Sequence, residues 1–408
     1  MNISHINDCY GCGLCAIVCS QKIINIEHNN DGFYEPHIVK SDKCTDCGLC
    51  TEVCAYIHDD IQVELENIKG YAAWSKDMAV RRKCSSGGTG FELGRYLLGK
   101  EYKVCGVRYN VEKARAEHFV AISIEELVQS IGSKYIQSYT VDGFREVNRK
   151  EKYLITGTPC QIASFRRYIR KFKIEENFVL MDFFCHGVPS MLMWQKYIIS
   201  SEMKLGKLTY VAWRHKANGW HDSYNLMLDG EKYGEPTERH GSYQMLIKEK
   251  KSFLSSRWSQ GDSFYNLFLG DYCLGKACYE KCHFKCYRSA ADIRIGDLWG
   301  KTYEGDDKGV NGVLTFTEKG DKILHALNCE LTEHSLTVVC EGQMKESPIK
   351  TPLYDMVMTF LRDPSISIED CNKTLKLYVW RQRQKHRFKH PFVALQEIFH
   401  RILTILKW

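Results

Sequence analysis

The chain has 408 residues, of which 44% are hydrophobic, so it can build two or three domains with ordinary cores. Its formal net charge of +6 is unevenly placed, because residues 373–408 hold nine Lys/Arg and one Glu while the remainder is nearly neutral. The body shows no basic stripe interleaved with aromatic residues, which argues against a nucleic-acid partner, and no apolar run approaches the ~18–20 residues of a membrane span.

The 19 cysteines are bunched at spacings typical of metal ligands. The first ten residues, MNISHINDCY, lack the succession of charged, apolar and small residues that marks a secretory signal. We therefore expect a cytoplasmic protein, where disulfides would be reduced and clustered cysteines bind metal instead.

The first sixty residues contain a duplicated ligand motif. Residues 9–19 read CYGCGLCAIVC and residues 44–54 read CTDCGLCTEVC, both with the C-x2-C-x2-C-x3-C spacing of dicluster ferredoxins. In that pattern the fourth ligand of each cubane comes from the other repeat, whereas a zinc site would need one set of four and no duplication. The motif predicts a dicluster domain over residues 1–62, with one 4Fe–4S cluster on Cys9, Cys12, Cys15 and Cys54 and another on Cys44, Cys47, Cys50 and Cys19.

Two strand–loop–helix units follow further along the chain. YLIT (153–156) and FVLMDFFC (178–185) are apolar runs typical of buried parallel strands, and each precedes a Gly/Pro loop and a helical pattern. Cys160 and Cys185 lie where these strands end. Because the carboxyl ends of parallel strands meet at one sheet edge, both cysteines could face one ligand there. Taken singly, each would more often be a buried structural cysteine.

A third cysteine group, CYEKCHFKC at residues 278–286, favours the ligand interpretation. Two ligands from a local C-x3-C pair, together with Cys160 and Cys185, would complete four thiolates for a third cubane. Four thiolates suit zinc equally well, so the spacing leaves the metal open.

Beyond the dicluster motif, seven strings occur in order: KCSSGGTGFELGRYLL (83–98), GSKYIQS (132–138), GTPCQIASFRRY (157–168), FFCHGVPS (183–190), WRHKANGWHD (213–222), CHFKCYRSAADIRIGDLWG (282–300) and KGVNGVLTFTEKG (308–320). Together these strings resemble the beta subunit family of coenzyme F420 hydrogenase and dehydrogenase, including members with a fused ferredoxin domain. The likeness runs from the N-terminus to about residue 330 and specifies no substrate.

The resemblance implies a flavin, FAD, held in a mixed α/β domain with a partly parallel sheet, beside a 4Fe–4S cluster. Taken alone, SSGG before a helix would be an ordinary helix-entry turn, and no GxGxxG fingerprint supports a dinucleotide site independently. The residues at matching positions that would contact the flavin or line its site are Ser85, Ser86, Gly87, Gly88, Thr89, Ser133, Lys134, Tyr135, Gln137, Gly157 and Thr158.

The resemblance also implies the ligands of the third cluster: Cys160, Cys185, Cys278 and Cys282. The family commonly spaces the last pair as C-x2-C, whereas this chain has C-x3-C, so Cys286 could replace Cys278. The other cysteines are expected to be structural: Cys84, Cys105, Cys273, Cys329, Cys340 and Cys371.

Catalytic and substrate-binding residues are suggested by their chemistry at these positions. His186, next to Cys185, could donate a proton or hydrogen-bond a substrate, and Lys134 could face the pyrophosphate or the anionic edge of the flavin. Arg214, Lys216 and Trp220 form a cationic and aromatic group suited to an anionic or sugar-like substrate. A packing role for Trp220 and a solvated turn for His186 explain those two residues at least as well.

These features predict an iron–sulfur flavin-dependent oxidoreductase. Electrons would pass between a ferredoxin-type carrier and a small organic substrate through the 4Fe–4S clusters and FAD, in sugar or surface-polysaccharide metabolism. The alternative is an electron-transfer beta subunit of a larger hydrogenase or dehydrogenase complex, with coenzyme F420 as its substrate. We expect residues 63–150 to form the first part of the flavin domain and residues 151–350 to hold the rest of it, the third cluster and the substrate site.

Residues 351–408 are predicted to form a basic tail that ends in an amphipathic helix after Pro391. Its apolar residues recur at helical spacing: Phe392, Leu395, Ile398, Phe399, Ile402 and Ile405. One interpretation is docking to the inner membrane surface or to a partner enzyme, and the other is packing on the body of the protein.

Overall fold

A computed structural model describes residues 2–59, 64–232 and 254–389, apart from the side chains of residues 254 and 386–389. The strands in these ranges are β1 (Ile24–His28), β2 (Tyr34–Ile38), β3 (Lys69–Ser75), β4 (Lys103–Asn110), β5 (Arg115–Ala121), β6 (Ser138–Tyr139), β7 (Tyr153–Thr156), β8 (Phe178–Phe183), β9 (Leu208–Arg214), β10 (Tyr224–Gly230), β11 (Leu254–Arg257), β12 (Ile293–Asp297), β13 (Asn311–Thr315) and β14 (Cys329–His334).

The helices alternate with these strands along the chain. They are α1 (Leu14–Val18), α2 (Leu49–Glu52), α3 (Met78–Lys83), α4 (Thr89–Leu98), α5 (Ile124–Leu127), α6 (Val141–Glu146), α7 (Pro159–Lys171), α8 (Met191–Leu205), α9 (Ser263–Leu269), α10 (Lys276–Glu280), α11 (Glu318–His325), α12 (Leu336–Val339), α13 (Tyr354–Arg362) and α14 (Ile368–Lys389).

The two cysteine repeats adopt the same local structure. Helices α1 and α2 start directly after Gly13 and Gly48, whose φ angles of 75° and 73° lie in the left-handed region that glycine enters at least cost. The antiparallel hairpin of β1 and β2 connects the repeats. A Cβ atom at Gly13 would lie 2.3 Å from the Thr140 hydroxyl, so glycine is also required for the close contact with the rest of the protein. The expected ferredoxin-like domain is confirmed.

The larger domain is built on a mixed sheet. Nine strands are present within the described residues, in the order β14-β3-β13-β12-β8-β7-β4-β5-β6. The parallel pairs are β4/β7, β7/β8, β8/β12 and β5/β6, and the other pairs are antiparallel. The predicted partly parallel α/β sheet is therefore confirmed. Strands β3, β4, β5 and β6 precede residue 150 and the other five follow it, so both expected parts of this domain contribute to one sheet.

The central strands are buried on both faces, as their apolar runs predicted. On β7, Tyr153 and Ile155 pack with α6 and α7, whereas Leu154 packs with α4 on the opposite face. On β8, Phe178 and Leu180 face the first side and Val179 faces the second. This alternation follows from the two-residue period of a strand. Because β7 and β8 are parallel, the loops that follow them lie at the same carboxyl edge of the sheet.

A second core lies beside the sheet. Helices α8, α9, α13 and α14 pack around Trp194, Trp213 and Tyr265 together with the antiparallel strands β9, β10 and β11. The first turns of α14 belong to this core through Ile368, Cys371 and Leu375, where the sequence predicted only a tail. The predicted amphipathic helix after Pro391 lies outside the described residues.

Within residues 2–59, 64–232 and 254–389, no helix has both the length and the apolar character needed to cross a bilayer.

Candidate redox site

The first thiol group consists of the four cysteines assigned to one cluster, and all four line a single small cavity: Cys9, Cys12, Cys15 and Cys54. The amide of Gly11 donates a hydrogen bond to the Cys9 Sγ at 3.3 Å, and the Cys12 thiol lies 3.3 Å from the Ser164 hydroxyl on α7. Burial and, after it, the charge of the nearby Cys12 together raise the pKa of the Cys54 thiol to about 11. Four converging thiols with amide donors fit a 4Fe–4S cluster.

The second thiol group lies nearer to the protein surface. It contains Cys19, Cys44, Cys47 and Cys50, of which only Cys50 is buried and Cys47 is exposed. The Asn2 side-chain amide donates to the Cys44 Sγ at 3.4 Å. Burial raises the pKa of the Cys50 thiol, and the adjacent Cys47 contributes to this rise. These residues are therefore the most accessible end of the predicted cluster series.

The third thiol group lies at the carboxyl edge of the main sheet. Cys160 is the second residue of α7, Cys185 follows β8, and Cys278 and Cys282 lie in and just after α10. Each of the other three thiols raises the pKa of the Cys160 thiol electrostatically, although burial is the larger cause. The four side chains predicted from separate parts of the sequence are thus neighbours.

Cys286, the alternative ligand, lies elsewhere. Its thiol is 3.5 Å from the carbonyl oxygen of Met344 and packs with Cys340. The structure therefore groups Cys278, and not Cys286, with the other candidates. Among the described residues, no three His, Cys, Asp or Glu side chains stand close enough to hold a single metal ion.

Tyr10 connects the first and third thiol groups. It lies between Cys9 and Cys12 in the sequence and is 8% exposed. Its ring packs in one cluster with Cys160 and Cys282, and its hydroxyl donates to the Lys281 carbonyl at 2.8 Å. Sequence reasoning missed this residue, although its position inside a ligand loop is a usable signal.

A cavity of about 390 Å³ opens beside the third thiol group. This volume is within the ~300–1,000 Å³ range of small-molecule and cofactor sites. Cys185 and His186 contribute to its wall, so the thiol group and the cavity share one loop. The predicted flavin-site residues that line it are Ser85, Ser86, Gly88, Ser133, Lys134, Tyr135, Gly157 and Thr158.

The other predicted flavin-site residues lie behind the cavity wall. A Cβ atom at Gly87 would lie 2.4 Å from the carbonyl oxygen of Ala73, and the Thr89 amide donates to the Asn311 Oδ1 at 3.1 Å. The Gln137 amide group joins the two domains, because it donates to Tyr10 O at 3.2 Å and accepts from Tyr34 N at 3.0 Å. These three residues therefore shape and support the site.

Lys134 is the principal cation on this wall. Its Nζ donates to the carbonyl oxygens of Ser130 at 2.8 Å and Ile131 at 3.0 Å, with Gln129 at 3.4 Å. Burial lowers the pKa of Lys134 to about 7, while the three carbonyls match the three donors of an ammonium group. The charge of Lys134 therefore changes near neutral pH, and its protonated form places a positive charge on the cavity wall.

The lining of the cavity has features that could hold a planar, hydrogen-bonding ligand such as a flavin. Glycines at positions 88, 90 and 106 line it and allow close approach of a planar ring, and a Cβ atom at Gly90 would lie 2.8 Å from Ile295 Cδ1. The Ser133 amide donates to the Ser85 Oγ at 2.9 Å, which leaves the Ser85 hydroxyl proton free for a ligand oxygen. Tyr135 and Phe268 supply an aromatic wall.

His186 stands between the third thiol group and the cavity. Its Nε2 lies 2.8 Å from the Asp271 Oδ1, an ion pair if the imidazole is protonated. The Lys285 Nζ donates to the carbonyl oxygens of Cys185 at 2.7 Å and His186 at 3.1 Å. Lys285 also lines the cavity, so this loop carries a second cation that sequence reasoning missed.

The three predicted substrate residues are engaged within the protein. Arg214 forms a bidentate ion pair with Asp297, with Nη1 2.7 Å from Oδ2 and Nη2 3.2 Å from Oδ1. Trp220 is fully buried and its Nε1 donates to the same carboxylate at 2.7 Å. The Lys216 Nζ donates to the carbonyl oxygens of Arg81, Ser86 and Lys308. Arg214 and Trp220 therefore position Asp297, and none of the three residues lines the cavity.

Comparison with known proteins places these sites in context. Residues 8–56 match the model of the 4Fe–4S dicluster domain, which makes this segment an iron–sulfur domain. Residues 150–337 match the model of the coenzyme F420 hydrogenase/dehydrogenase beta subunit, C terminus. This part of the chain therefore carries the C-terminal domain of the coenzyme F420 hydrogenase/dehydrogenase beta subunit, as the sequence strings within it indicated.

Other comparisons add less. A chain of the F420-reducing [NiFe] hydrogenase complex from Methanosarcina barkeri, studied by xenon derivatization, aligns at 17% identity with a TM-score of 0.41. The alignment covers 76% of this chain and 91% of that chain. No curated protein matches the sequence.

Proposed function

We propose that the chain is the electron-transfer subunit of a larger oxidoreductase complex and exchanges electrons between a one-electron carrier and a two-electron acceptor. The observation that carries this proposal is the shared loop of Cys185 and His186, which belongs to the third thiol group and to the cavity wall. With Tyr10 joining the first and third thiol groups, the chain offers a continuous series of redox positions from its surface to the cavity.

Three sets of four thiols would hold the 4Fe–4S clusters, and the cavity would hold FAD. Bound clusters supply one-electron transfer, and a bound flavin supplies the conversion between single electrons and electron pairs. Ser85, Ser133 and Lys134 would orient the flavin through a hydroxyl, a backbone turn and a cation. His186, whose Nε2 lies 2.8 Å from the Asp271 Oδ1, would stand on the side of the acceptor.

The location of the second thiol group near the surface supports its role as the point where electrons enter or leave the chain. Cys47 is exposed, and Cys44 and Cys19 are half-buried, whereas the first group is mostly buried. A ferredoxin-type carrier or a partner subunit that docks over Cys47 would come close to these thiols. Electrons would then enter or leave at the second thiol group, which is the farthest of the three groups from the cavity in this series.

The family assignment favours the subunit over a self-sufficient enzyme. Its model is named for a beta subunit, and the candidate acceptor is therefore coenzyme F420 or a related organic ring. Nothing in these matches favours a sugar or polysaccharide substrate, so that part of the sequence-based hypothesis is not carried into the proposal.

A self-sufficient oxidoreductase is the second candidate. The observation in its favour is that this chain alone forms a cavity of about 390 Å³ and supplies both His186 and Lys134 to its wall. In that case a small organic substrate would bind in the same cavity without a partner subunit.

Anaerobically purified protein can test the proposal. Flavin is extracted and quantified, and the bound flavin is then followed by absorbance during reduction with a reduced ferredoxin, with and without co-purified partner chains. The subunit proposal predicts that the isolated chain binds flavin. It also predicts that the deazaflavin coenzyme is turned over only when the partner is present. Turnover by the isolated chain would favour the second candidate, and clusters without any flavin would refute both.

A further inference from the structure

Two buried cysteines outside the three thiol groups lie in contact beside the cavity. Cys286 is 7% exposed and Cys340 is 2% exposed, and both belong to one packed cluster with Val339. The two thiols are hydrogen-bonded to each other. Cys286 lines the cavity next to Met344, and Cys340 lies behind it at the end of α12.

The backbone holds Cys286 in an unusual conformation. Its φ angle is 44°, in the left-handed region that residues with a side chain seldom adopt. The Arg294 Nη1 donates to the Cys286 carbonyl at 2.7 Å, and Arg294 is fixed by two 2.7 Å contacts with the fully buried Asp182. Such over-determined backbone positions are typical of functional sites. The Cys286 thiol is therefore held at the boundary between Cys340 and the cavity.

We propose that Cys286 and Cys340 form a dithiol–disulfide couple on the wall of the cavity. Oxidation replaces two S–H bonds with one Sγ–Sγ bond and releases two electrons and two protons. The flavin-class carrier proposed for the cavity is the acceptor and would take up both electrons and both protons, so this exchange rests on the proposed function. In the reverse direction the reduced carrier would return two electrons and two protons, and the disulfide would become two thiols again.

The location gives this couple a role that iron–sulfur clusters do not have. Clusters exchange single electrons, whereas a dithiol gives up its electrons as a pair, which matches a two-electron carrier. Burial shields Cys340 from external thiols, so reagents reach the pair through Cys286 and the cavity. The site would store one electron pair beside the carrier.

The test uses the intact protein, purified anaerobically and equilibrated in dithiothreitol redox buffers. Samples are acid-quenched, free thiols are alkylated, and linked peptides are quantified by mass spectrometry. The couple predicts a Cys286–Cys340 peptide whose abundance changes reversibly with a two-electron dependence, while the iron content stays constant. Cys286→Ser and Cys340→Ser variants should each abolish it and retain the iron.

A matched thiol pair provides the control. Cys273 and Cys371 are also buried neighbours, but they lie in the second core and not on the cavity. They should remain alkylated as free thiols across the same buffers. Equal oxidation of both pairs, or no Cys286–Cys340 peptide at any potential that preserves the iron, would overturn the couple.

The flavin content of the same samples separates this inference from the proposed function. A reversible Cys286–Cys340 disulfide in protein that binds no flavin supports the couple and removes the proposed carrier. Bound flavin without the disulfide overturns the couple and leaves the proposed function intact.

Discussion

The Tyr10 hydroxyl donates a 2.8 Å hydrogen bond to the carbonyl oxygen of Lys281. Tyr10 lies between two ligands of the first thiol group, and Lys281 lies between two ligands of the third. This single contact therefore joins two ligand loops whose contacting residues are 271 positions apart in the sequence. The ring of Tyr10 also makes edge contacts with Tyr56 and Phe284, which hold it in the space between the groups.

Replacing Tyr10 should change how the first and third clusters interact. Tyr10→Phe keeps the ring and should cost about 1 kcal/mol of stability for the lost hydrogen bond, with little spectroscopic change. Tyr10→Leu removes the ring and should weaken the magnetic interaction between the reduced clusters in electron paramagnetic resonance spectra. Tyr102→Leu, at a partly buried tyrosine in the core on the other face of the sheet, is the matched control and should leave that interaction intact. If the spectra of Tyr10→Leu were identical to those of the wild type, the role of the Tyr10 ring between the first and third clusters would be refuted.

Removing the Lys285 charge should shift the reduction potential of the third cluster. Lys285 is buried and its Nζ lies 2.7 Å from the Cys185 carbonyl oxygen, so its positive charge favours the reduced, more negative cluster. Lys285→Gln should lower that potential by on the order of tens of millivolts, since the interaction is only partly screened in the interior. The exposed Lys281→Gln variant should leave it unchanged in a potentiometric titration. A shift in the positive direction would contradict this role.

Lys134 should make stability depend on pH. Burial lowers its folded-state pKa to about 7, below the ~10.4 of an unfolded lysine. Between these values the unfolded state binds more protons, so the stability of the wild type rises with pH relative to a Lys134→Met variant. The variant's advantage in thermal unfolding midpoint should be largest at pH 7 and below and should shrink towards pH 10. The exposed Lys100→Met variant should show no such trend, and a pH-independent difference for Lys134→Met would contradict the shifted pKa.

Arg214 should contribute mainly to stability. It is fully buried with its guanidinium against Asp297, so Arg214→Gln should cost about 3 kcal/mol by leaving a buried carboxylate without its partner. Arg257, which pairs with Asp222 nearer to the surface, is the matched control, and Arg257→Gln should cost no more than about 1 kcal/mol. Denaturant unfolding of the two variants checks the difference. An unchanged stability for Arg214→Gln, with impaired substrate binding, would restore its predicted substrate role.

The sequence predicted those features whose signals are local. The paired C-x2-C-x2-C-x3-C motifs require only short loops with glycines at positions 13 and 48, and both repeats fold alike. The apolar runs at 153–156 and 178–185 became neighbouring parallel strands because both of their faces are buried. The loops that follow them then had to lie at one sheet edge, which brought Cys160 and Cys185 together.

The features that the sequence could not predict depend on partners distant in the chain. Arg214 and Trp220 looked available for a substrate, but the shared partner Asp297 lies some eighty positions away and holds both. Strand β3 lies between β13 and β14, an order that no local pattern indicates. The sequence also could not decide whether Cys278 or Cys286 belongs to the third thiol group, because each lies four positions from Cys282. Only the folded path of the loop separates them.

The most direct test of the three-cluster arrangement is the iron content of anaerobically purified protein. The wild type should hold about twelve iron atoms per chain, at about four per cubane cluster. Cys282→Ser should lose about four of them, whereas Cys286→Ser should retain all twelve, because Cys286 lies with Cys340 outside the third thiol group. A wild type with about eight iron atoms, or a loss caused by Cys286→Ser instead of Cys282→Ser, would contradict the third cluster as assigned.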